Sequence, residues 1–299
     1  MTKRKYYRQY AKQIPWASFG RETPASRVAR SVLPVGILPF TPLPPQPDIP
    51  AIPGDHPDAD KFLMSIVGTA IQAGQGKLVT CAHVMDALVA AQARTYVLTS
   101  TTRSSTVVYL PYRVVQALRY VDPRTNQVNP GVDLAVLLVP ASQRSTIPYN
   151  VPPVHWGDSA GVGVGDPVLI GGYPLGTAMF LSTKSNRGVI QPTFYSGIVS
   201  AVLPATKPNE ARLFQVSIPT AGGMSGGPML DPATGEVLGI VTSGIEIRIP
   251  RDPTEESTEE GPSIPLPMTY VLPSEVIMPY VNTIKFETKD ASGKRRIWR

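Results

Sequence analysis

The chain has 299 residues, of which 42% are hydrophobic, and a formal net charge of +6. This length and composition allow one all-β domain with a sizeable core. Because Cys81 is the single cysteine, an intramolecular disulfide is excluded and stability does not depend on an oxidising compartment.

The positive charge lies at the two ends of the chain. Residues 1–47 carry a net charge of +7 and residues 290–299 carry +3, which leaves −4 for the residues between them. A mildly acidic centre argues against nucleic-acid binding by the core of the fold. The basic N-terminus could touch an anionic surface, but most such tails are simply solvated, and we favour that interpretation.

The first thirty residues contain no apolar run of about 7 to 15 residues, as a secretory signal requires, and no stretch reaches the roughly 18 residues of a membrane span. The sequence therefore predicts a cytoplasmic protein. The arginines and near absence of acids in residues 1–30 leave organellar import open.

Residues 1–59 are predicted to form a basic and then proline-rich arm, largely disordered or extended. Nine prolines lie between Pro34 and Pro57, several of them in P-x-x-P spacing, which places their rings on one face of a polyproline II helix. We expect a stiff spacer. The alternative is a ligand for a protein partner with an aromatic groove.

Residues 60–284 are predicted to be all-β, because short apolar runs alternate with turn residues. The runs favour a first six-stranded barrel over about residues 60–140 and a second over about 154–272. A short C-terminal helix is expected at 274–284, followed by a basic tail at 285–299. A functional site would lie in the cleft between the two antiparallel barrels.

A serine surrounded by glycines is the first candidate for chemistry. Ser225 lies in the run T-A-G-G-M-S-G-G-P, residues 220–228. Gly223 and Gly226 can adopt positive φ, so this loop can aim the amides of Gly223 and Ser225 at one point beside the hydroxyl. Such a point is an oxyanion hole. The serine also needs an imidazole base and a carboxylate that orients the imidazole.

Few residues can supply that base and carboxylate. His83 follows an apolar run in T-C-A-H-V, whereas His56 lies in the proline-rich arm and His155 has no small-residue turn to present it. Asp133 stands at the head of the apolar run D-L-A-V-L-L-V, where a buried carboxylate requires a partner. We therefore expect His83, Asp133 and Ser225 to meet.

These motifs resemble those of trypsin-like serine proteases of the HtrA (Deg) type. T-C-A-H-V, D-L-A-V-L and G-M-S-G-G-P are similar to the family's histidine, aspartate and serine motifs, and they occur in the same order. The resemblance covers roughly residues 60–284 and implies a chymotrypsin-like double β-barrel. A PDZ domain, which such proteins often add, does not fit in residues 285–299, so peptide gating through PDZ is not expected.

The resemblance implies a serine endopeptidase with polypeptide substrates, no metal and no organic cofactor. His83, Asp133 and Ser225 would be the triad, and the amides of Gly223 and Ser225 the oxyanion hole. A further four residues would form the substrate-binding walls: Pro219, Thr242, Ser243 and Gly244. Thr242 also matches the family position whose hydroxyl supports the triad aspartate.

Three other interpretations compete with a serine protease. G-M-S-G-G fits the nucleophile elbow of α/β-hydrolases, but that fold places its histidine after the serine, and all three histidines precede Ser225. Cys81 is a weak rival nucleophile, because small apolar surroundings commonly hold inert thiols. A protease-fold binding or scaffold module without turnover remains the alternative function.

Overall fold

A computed structural model of the chain describes ten segments: residues 22–37, 65–74, 76–90, 95–103, 106–139, 151–176, 191–207, 210–248, 263–289 and 295–298. Their regular structure is mostly antiparallel β, which confirms the all-β class. The P-x-x-P part of the arm from Pro39 onward lies outside the described residues. Within these segments, no helix combines the length and apolarity needed to cross a membrane.

Short strands dominate both halves of the chain, and helices are few among the described residues. The first half contains α1 (Pro24–Ala29), β1 (Val32–Ile37), β2 (Ser65–Gly74), β3 (Lys77–Thr80), α2 (Ala82–Ala90), β4 (Thr95–Arg103), β5 (Thr106–Arg113), β6 (Gln116–Arg119), β7 (Val121–Asp122), β8 (Gln127–Val128) and β9 (Ala135–Leu138). The second half contains β10 (Pro167–Gly172), β11 (Thr193–Leu203), β12 (Leu213–Val216), β13 (Pro228–Leu230), β14 (Val237–Arg248), β15 (Ser263–Pro273), α3 (Ser274–Thr283), β16 (Phe286–Lys289) and β17 (Arg295–Trp298).

The first β unit is a sheet in the order β5-β4-β1-β2-β3-β9-β6. Its two edge strands belong to one bent stretch of chain, since only Val114 and Val115 separate β5 from β6. The Val114 amide donates to the Thr95 carbonyl at 3.0 Å, and the Val115 amide donates to the Leu138 carbonyl at 2.9 Å. The same stretch therefore serves both edges and curls the sheet into a half-barrel.

One strand of this unit comes from the part of the chain expected to be an arm. β1 pairs with β2 from Val32 to Ile37 and with β4 from Val35 to Ile37. Val32, Leu33 and Val35 are at most 3% exposed. Residues 24–37 are thus a helix and an inner strand, and the expected domain start near residue 60 does not describe them.

The second β unit is a closed barrel of six strands in the order β10-β11-β12-β15-β14-β13, as the sequence predicts. Its interior holds Phe214, Ile170, Val216 and Met229, all fully buried. The predicted C-terminal helix is α3, and Lys77 Nζ of the first unit donates to the Val281 carbonyl near its C-terminus at 3.2 Å. Beyond α3, β16 and β17 pair with each other in the region expected to be a basic tail.

Candidate active site

The loop around Ser225, residues 220–228 and here called the serine loop, contains two consecutive tight turns. The Met224 amide donates to the Ala221 carbonyl at 3.2 Å, and the Gly227 amide donates to the Met224 carbonyl at 2.9 Å. The third residue of each turn is a glycine with positive φ, Gly223 at 92° and Gly226 at 85°. Because a type II turn requires positive φ at this position, the glycine spacing of the sequence folds the loop this way.

The loop is anchored to β2 of the first unit. The Thr69 amide donates to the Ser225 carbonyl at 2.8 Å, and the Thr69 hydroxyl donates to the Gly223 carbonyl at 2.7 Å. A Cβ at Gly226 would lie 2.1 Å from the Thr69 carbonyl oxygen, so only glycine allows this approach. The two β units therefore meet at the backbone of the serine loop.

The amides of Gly223 and Ser225 donate no hydrogen bond to any other described residue. Gly223 is buried and Ser225 is half-buried. Buried amides are almost always paired, so two amides on one loop without a partner among the described residues are unusual.

His83 and Asp133 are brought together by a strand pair. β3 and β9 are antiparallel, with Thr80 opposite Ala135, so the end of β3 and the start of β9 share one edge. The chain continues from β3 into α2, whose second residue is His83, and Asp133 lies two residues before β9. Apolar runs that read L-V-T-C-A-H and D-L-A-V-L thereby place imidazole and carboxylate side by side.

The Asp133 carboxylate contacts His83 twice. Its Oδ2 atom is 2.7 Å from His83 Nδ1, and its Oδ1 atom accepts a 3.0 Å hydrogen bond from the His83 backbone amide. The second contact satisfies one of the unpaired amides at the start of α2, where negative charge is favoured. The imidazole is consequently held with Nδ1 toward the acid and Nε2 on the opposite edge of the ring.

The electrostatics of this pair favour its charged forms. The hydrogen bond to Asp133 raises the pKa of His83 against the opposing effect of burial, and the charges of Asp133 and Asp86 raise it further. Burial alone would raise the pKa of Asp133, but hydrogen bonds from the His83 ring and from the His83 and Ala82 amides lower it overall. Asp133 is therefore an ionised acceptor, and His83 is a stronger base than a free imidazole.

Ser225 forms no hydrogen bond with His83 or Asp133. Its Oγ atom donates to the Thr242 carbonyl at 3.3 Å. The segments that carry Ser225 and His83 meet at Val241, whose carbonyl accepts from the Gly226 amide at 2.7 Å and from the Cys81 thiol at 3.0 Å. The structure therefore pairs His83 with Asp133 and brings the loop of Ser225 to the same junction, without a hydrogen bond from Ser225 to either residue.

The residues expected to form the substrate walls occupy two neighbouring segments. Pro219, Ser243 and Gly244 are exposed, and a Cβ at Gly244 would lie 2.7 Å from Thr220 Oγ1, so the two segments approach closely. Thr242 is buried, and its hydroxyl donates to the Tyr270 carbonyl at 3.2 Å. The role of supporting the aspartate, which the resemblance implied for that hydroxyl, is therefore not observed.

A cleft of about 420 Å³ opens beside the aspartate between the two β units. Asp133 and Gly131 form one wall, while Thr242, Ser243 and Tyr270 belong to the other. Asp133 itself keeps one third of its side chain exposed. The cleft connects the acid side of the site with solvent.

Two further side chains lie close to His83. Cys81 is fully buried, and that burial, with the nearby Asp133 carboxylate, raises the pKa of its thiol well above the usual range, which argues against a nucleophile. Asp86, one turn after His83 on α2, forms an ion pair with Arg119 of β6. The position of Asp86 on the helix could have indicated its nearness to His83, but nothing in the sequence indicated its partner.

Two antiparallel β units with a histidine–aspartate pair and a glycine-rich serine loop at their junction define a trypsin-like peptidase fold. The sequence agrees, since residues 68–240 match the family described as trypsin-like peptidase domain. This match spans more than half of the chain, which therefore belongs to the trypsin-like peptidase family. The resemblance drawn from the three motifs is thereby confirmed.

Solved structures of HtrA-type proteases share the fold. The HtrA-type protease AlgW with a decapeptide is 21% identical with a TM-score of 0.53, and the match covers 92% of this chain and 71% of AlgW. Deg5 is 18% identical with a TM-score of 0.52, and the match covers 87% of this chain and 90% of Deg5. At these identities the likeness concerns the fold alone. No curated protein sequence matches the chain significantly.

Proposed function

We propose that the chain is a serine endopeptidase that hydrolyses peptide bonds through an acyl-enzyme intermediate. The observation that carries this proposal is the 2.7 Å contact of His83 Nδ1 with Asp133 Oδ2, which leaves Nε2 facing outward from the acid. The AlgW structure contains a decapeptide, which supports a polypeptide as the substrate class.

The first chemical step is attack by Ser225 on the peptide carbonyl. The hydroxyl turns from the Thr242 carbonyl toward His83 Nε2, which takes its proton as Oγ bonds to the carbonyl carbon. Asp133 keeps the Nδ1 proton in place and stabilises the imidazolium that results. His83 then gives its proton to the leaving amine, and a water activated by the same imidazole releases the acyl group.

The oxyanion formed in each step would be bound by the amides of Gly223 and Ser225. Both have no other partner among the described residues, so they reorganise little when the charge appears. One such donor is worth about 2.7 to 4 kcal/mol of transition-state stabilisation. Neither step requires a metal or an organic cofactor.

A binding or scaffold module without turnover is the second candidate. The observation in its favour is that the Ser225 hydroxyl donates to the Thr242 carbonyl rather than to His83. If this hydrogen bond persisted with a ligand present, the serine would not be activated.

Labelling with a fluorophosphonate separates the two functions, because the reagent reacts only with an activated serine. We expect labelling of the wild-type chain and none of Ser225→Ala, at an unchanged melting temperature, since little volume is removed. His83→Ala should lose nearly as much, because the two groups act as one unit. Ser217→Ala, which removes an exposed serine of the same barrel, is the control that keeps its label. An unlabelled wild-type chain, or labelled Ser225→Ala, would contradict the proposal.

A further inference from the structure

The buried Cys81 thiol lies close to His83 and Asp133. Its position indicates a second use of these two side chains. Cys81 Sγ, a ring nitrogen of His83 and a carboxylate oxygen of Asp133 all lie within 4.8 Å of one another. His83 Nδ1 is the nitrogen that contacts Asp133, so Nδ1 is the one that faces this cluster. Thiolate, imidazole and carboxylate are the three ligand types that zinc and similar cations use in proteins.

We infer that Cys81, His83 and Asp133 form an inhibitory site for a soft divalent cation of the zinc and cadmium type. Zinc bonds to sulfur, nitrogen and oxygen are about 2.0 to 2.3 Å long, so the ligand atoms around one ion lie closer together than the 4.8 Å that bounds their separation here. Small side-chain shifts suffice to bring the three atoms within bonding distance of one ion. The thiolate and the carboxylate together neutralise the charge of the cation, as a partly buried site requires.

Access is provided from the solvent side of the pair. Half of the His83 side chain and one third of the Asp133 side chain are exposed, although Cys81 is not. Asp133 also lines the cleft of about 420 Å³ next to Thr242 and Ser243. A water from this cleft can complete a four-coordinate ion with three protein ligands.

Binding would stop the proposed catalysis for a defined chemical reason. The cation forms one bond each to Sγ, Nδ1 and a carboxylate oxygen; the thiol proton leaves to solvent, and the proton of neutral His83 moves from Nδ1 to Nε2. A ring protonated on Nε2 cannot accept the Ser225 proton, and Asp133 no longer orients it. One proton, that of the thiol, is thus released for each cation that binds to the form with neutral His83.

This inference about inhibition rests on the proposed function, but the binding can be tested without turnover. Cd²⁺ is titrated into full-length Ser225→Ala while the ultraviolet absorption of a cadmium–thiolate bond is recorded. Cys81 is the single cysteine, so such a band reports this site alone. We expect a saturable band at one Cd²⁺ per chain, with one proton released in calorimetry. Absence of the band in the folded protein would overturn the inference.

Further variants in the Ser225→Ala background identify the other two ligands. His83→Ala and Asp133→Asn should each bind Cd²⁺ at least tenfold more weakly, while His155→Ala, which removes an exposed histidine elsewhere, should bind as before. A Cd²⁺ affinity that His83→Ala leaves unchanged would contradict the site.

The consequence for reactivity is measured on chains that retain Ser225. Cd²⁺ and Zn²⁺ should slow fluorophosphonate labelling of the wild type and act at least tenfold more weakly on Cys81→Ser, in which a hydroxyl can still donate to the Val241 carbonyl. Equal inhibition of both chains would overturn the assignment of Cys81. A wild type that binds Cd²⁺ through Cys81 but is never labelled would instead contradict only the proposed function.

Discussion

The side chain of Thr69, on β2, donates a 2.7 Å hydrogen bond to the carbonyl of Gly223 in the serine loop. Both residues are buried, and Thr69 also receives a hydrogen bond at its own carbonyl from Thr80 Oγ1 at 2.7 Å. The first β unit thus fixes the peptide that follows one of the two proposed oxyanion donors. Reactivity of Ser225 should therefore depend on a residue that no motif contains.

Thr69→Val tests this dependence, because it keeps the shape of the side chain and removes its donor. The Gly223 carbonyl would be left buried and unpaired, at a cost of about 1 to 3 kcal/mol in the free energy of unfolding. We expect fluorophosphonate labelling to slow at least tenfold. Ser31→Ala is the matched control, since it removes a buried donor to the Pro152 carbonyl, which is not part of the loop. If both variants lose stability but label at the wild-type rate, Thr69 does not position the loop.

Neighbouring glycines of the serine loop allow a sharper comparison. Gly223 has a φ of 92°, and a Cβ there would lie 2.3 Å from the Tyr173 carbonyl oxygen, whereas a Cβ at Gly222 would meet nothing within 4 Å. Gly223→Ala should therefore displace the loop and abolish labelling, while Gly222→Ala should leave labelling within a few fold. Measured labelling rates on folded protein decide the matter. Equal rates in the two variants would show that the loop backbone is not constrained as described.

The sequence predicts the second barrel and the pairing of His83 with Asp133 because both follow from local patterns. Apolar runs end in the two motifs, and antiparallel pairing of these runs joins their ends. The sequence does not reveal the strand β1, because Pro34 and Gly36 interrupt V-L-P-V-G-I and make it look like a linker. Pro34 pairs only with β2, and Gly36 is required where a Cβ would lie 2.0 Å from the Ser65 carbonyl oxygen.

The partners of side-chain hydroxyls could not be predicted in the same way. The Thr242 hydroxyl donates to the Tyr270 carbonyl because a register shift between Val241 and Ser243 places Thr242 out of step with β15. A local register shift does not change the periodic pattern of apolar and polar residues, so the sequence does not indicate it. The burial of Cys81 beneath the pair likewise depends on the junction of the two β units.

The pH dependence of reactivity should follow the shifted pKa of His83. Labelling of the wild type requires a neutral imidazole, so the labelling rate should fall as the pH is lowered through the pKa of His83. Because Asp133 raises that pKa, the fall should begin at a higher pH than the pKa of an ordinary histidine would give. Asp133→Asn should move the His83 pKa downward and reduce hydrolysis by a factor on the order of 10⁴. Nuclear magnetic resonance titration of His83 in the Ser225→Ala background measures the shift directly. A His83 pKa that Asp133→Asn does not lower would contradict this account.

The pKa shifts of His83 and Asp133 stabilise the fold in opposite directions of pH. The raised pKa of His83 stabilises the fold below the ordinary histidine pKa, and this contribution is lost as the pH rises through the raised value. The lowered pKa of Asp133 stabilises the fold above the ordinary aspartate pKa, and this contribution is lost as the pH falls through the lowered value. The stability that the pair adds should therefore be greatest between the two ordinary pKa values. Asp133→Asn should remove most of this added stability, which is measured as the free energy of unfolding in urea across this pH range.

Substrate preference should reflect the absence of acids from the walls of the proposed pocket. Residues 216–223 and 242–244, which include Pro219 and Gly244, contain no Asp or Glu. A carboxylate at the pocket base is what a preference for Lys or Arg requires, so we expect cleavage after small or medium apolar residues. Peptide-library cleavage by the wild type, with Ser225→Ala as the blank, measures the profile. A profile dominated by Lys or Arg would overturn this expectation.

The strand β1 should be essential for folding, although it precedes the family match by thirty residues. It lies between β2 and β4, so a chain that starts after Ile37 would leave both strands with an unpaired edge. We expect that truncation to aggregate or to lose its cooperative thermal transition, and a chain that starts at Glu22 to serve as the control. Leu33→Ala, at a side chain that is 3% exposed, should cost about 2 to 5 kcal/mol in the free energy of unfolding. A folded and labelled chain that lacks β1 would show that the sheet closes without it.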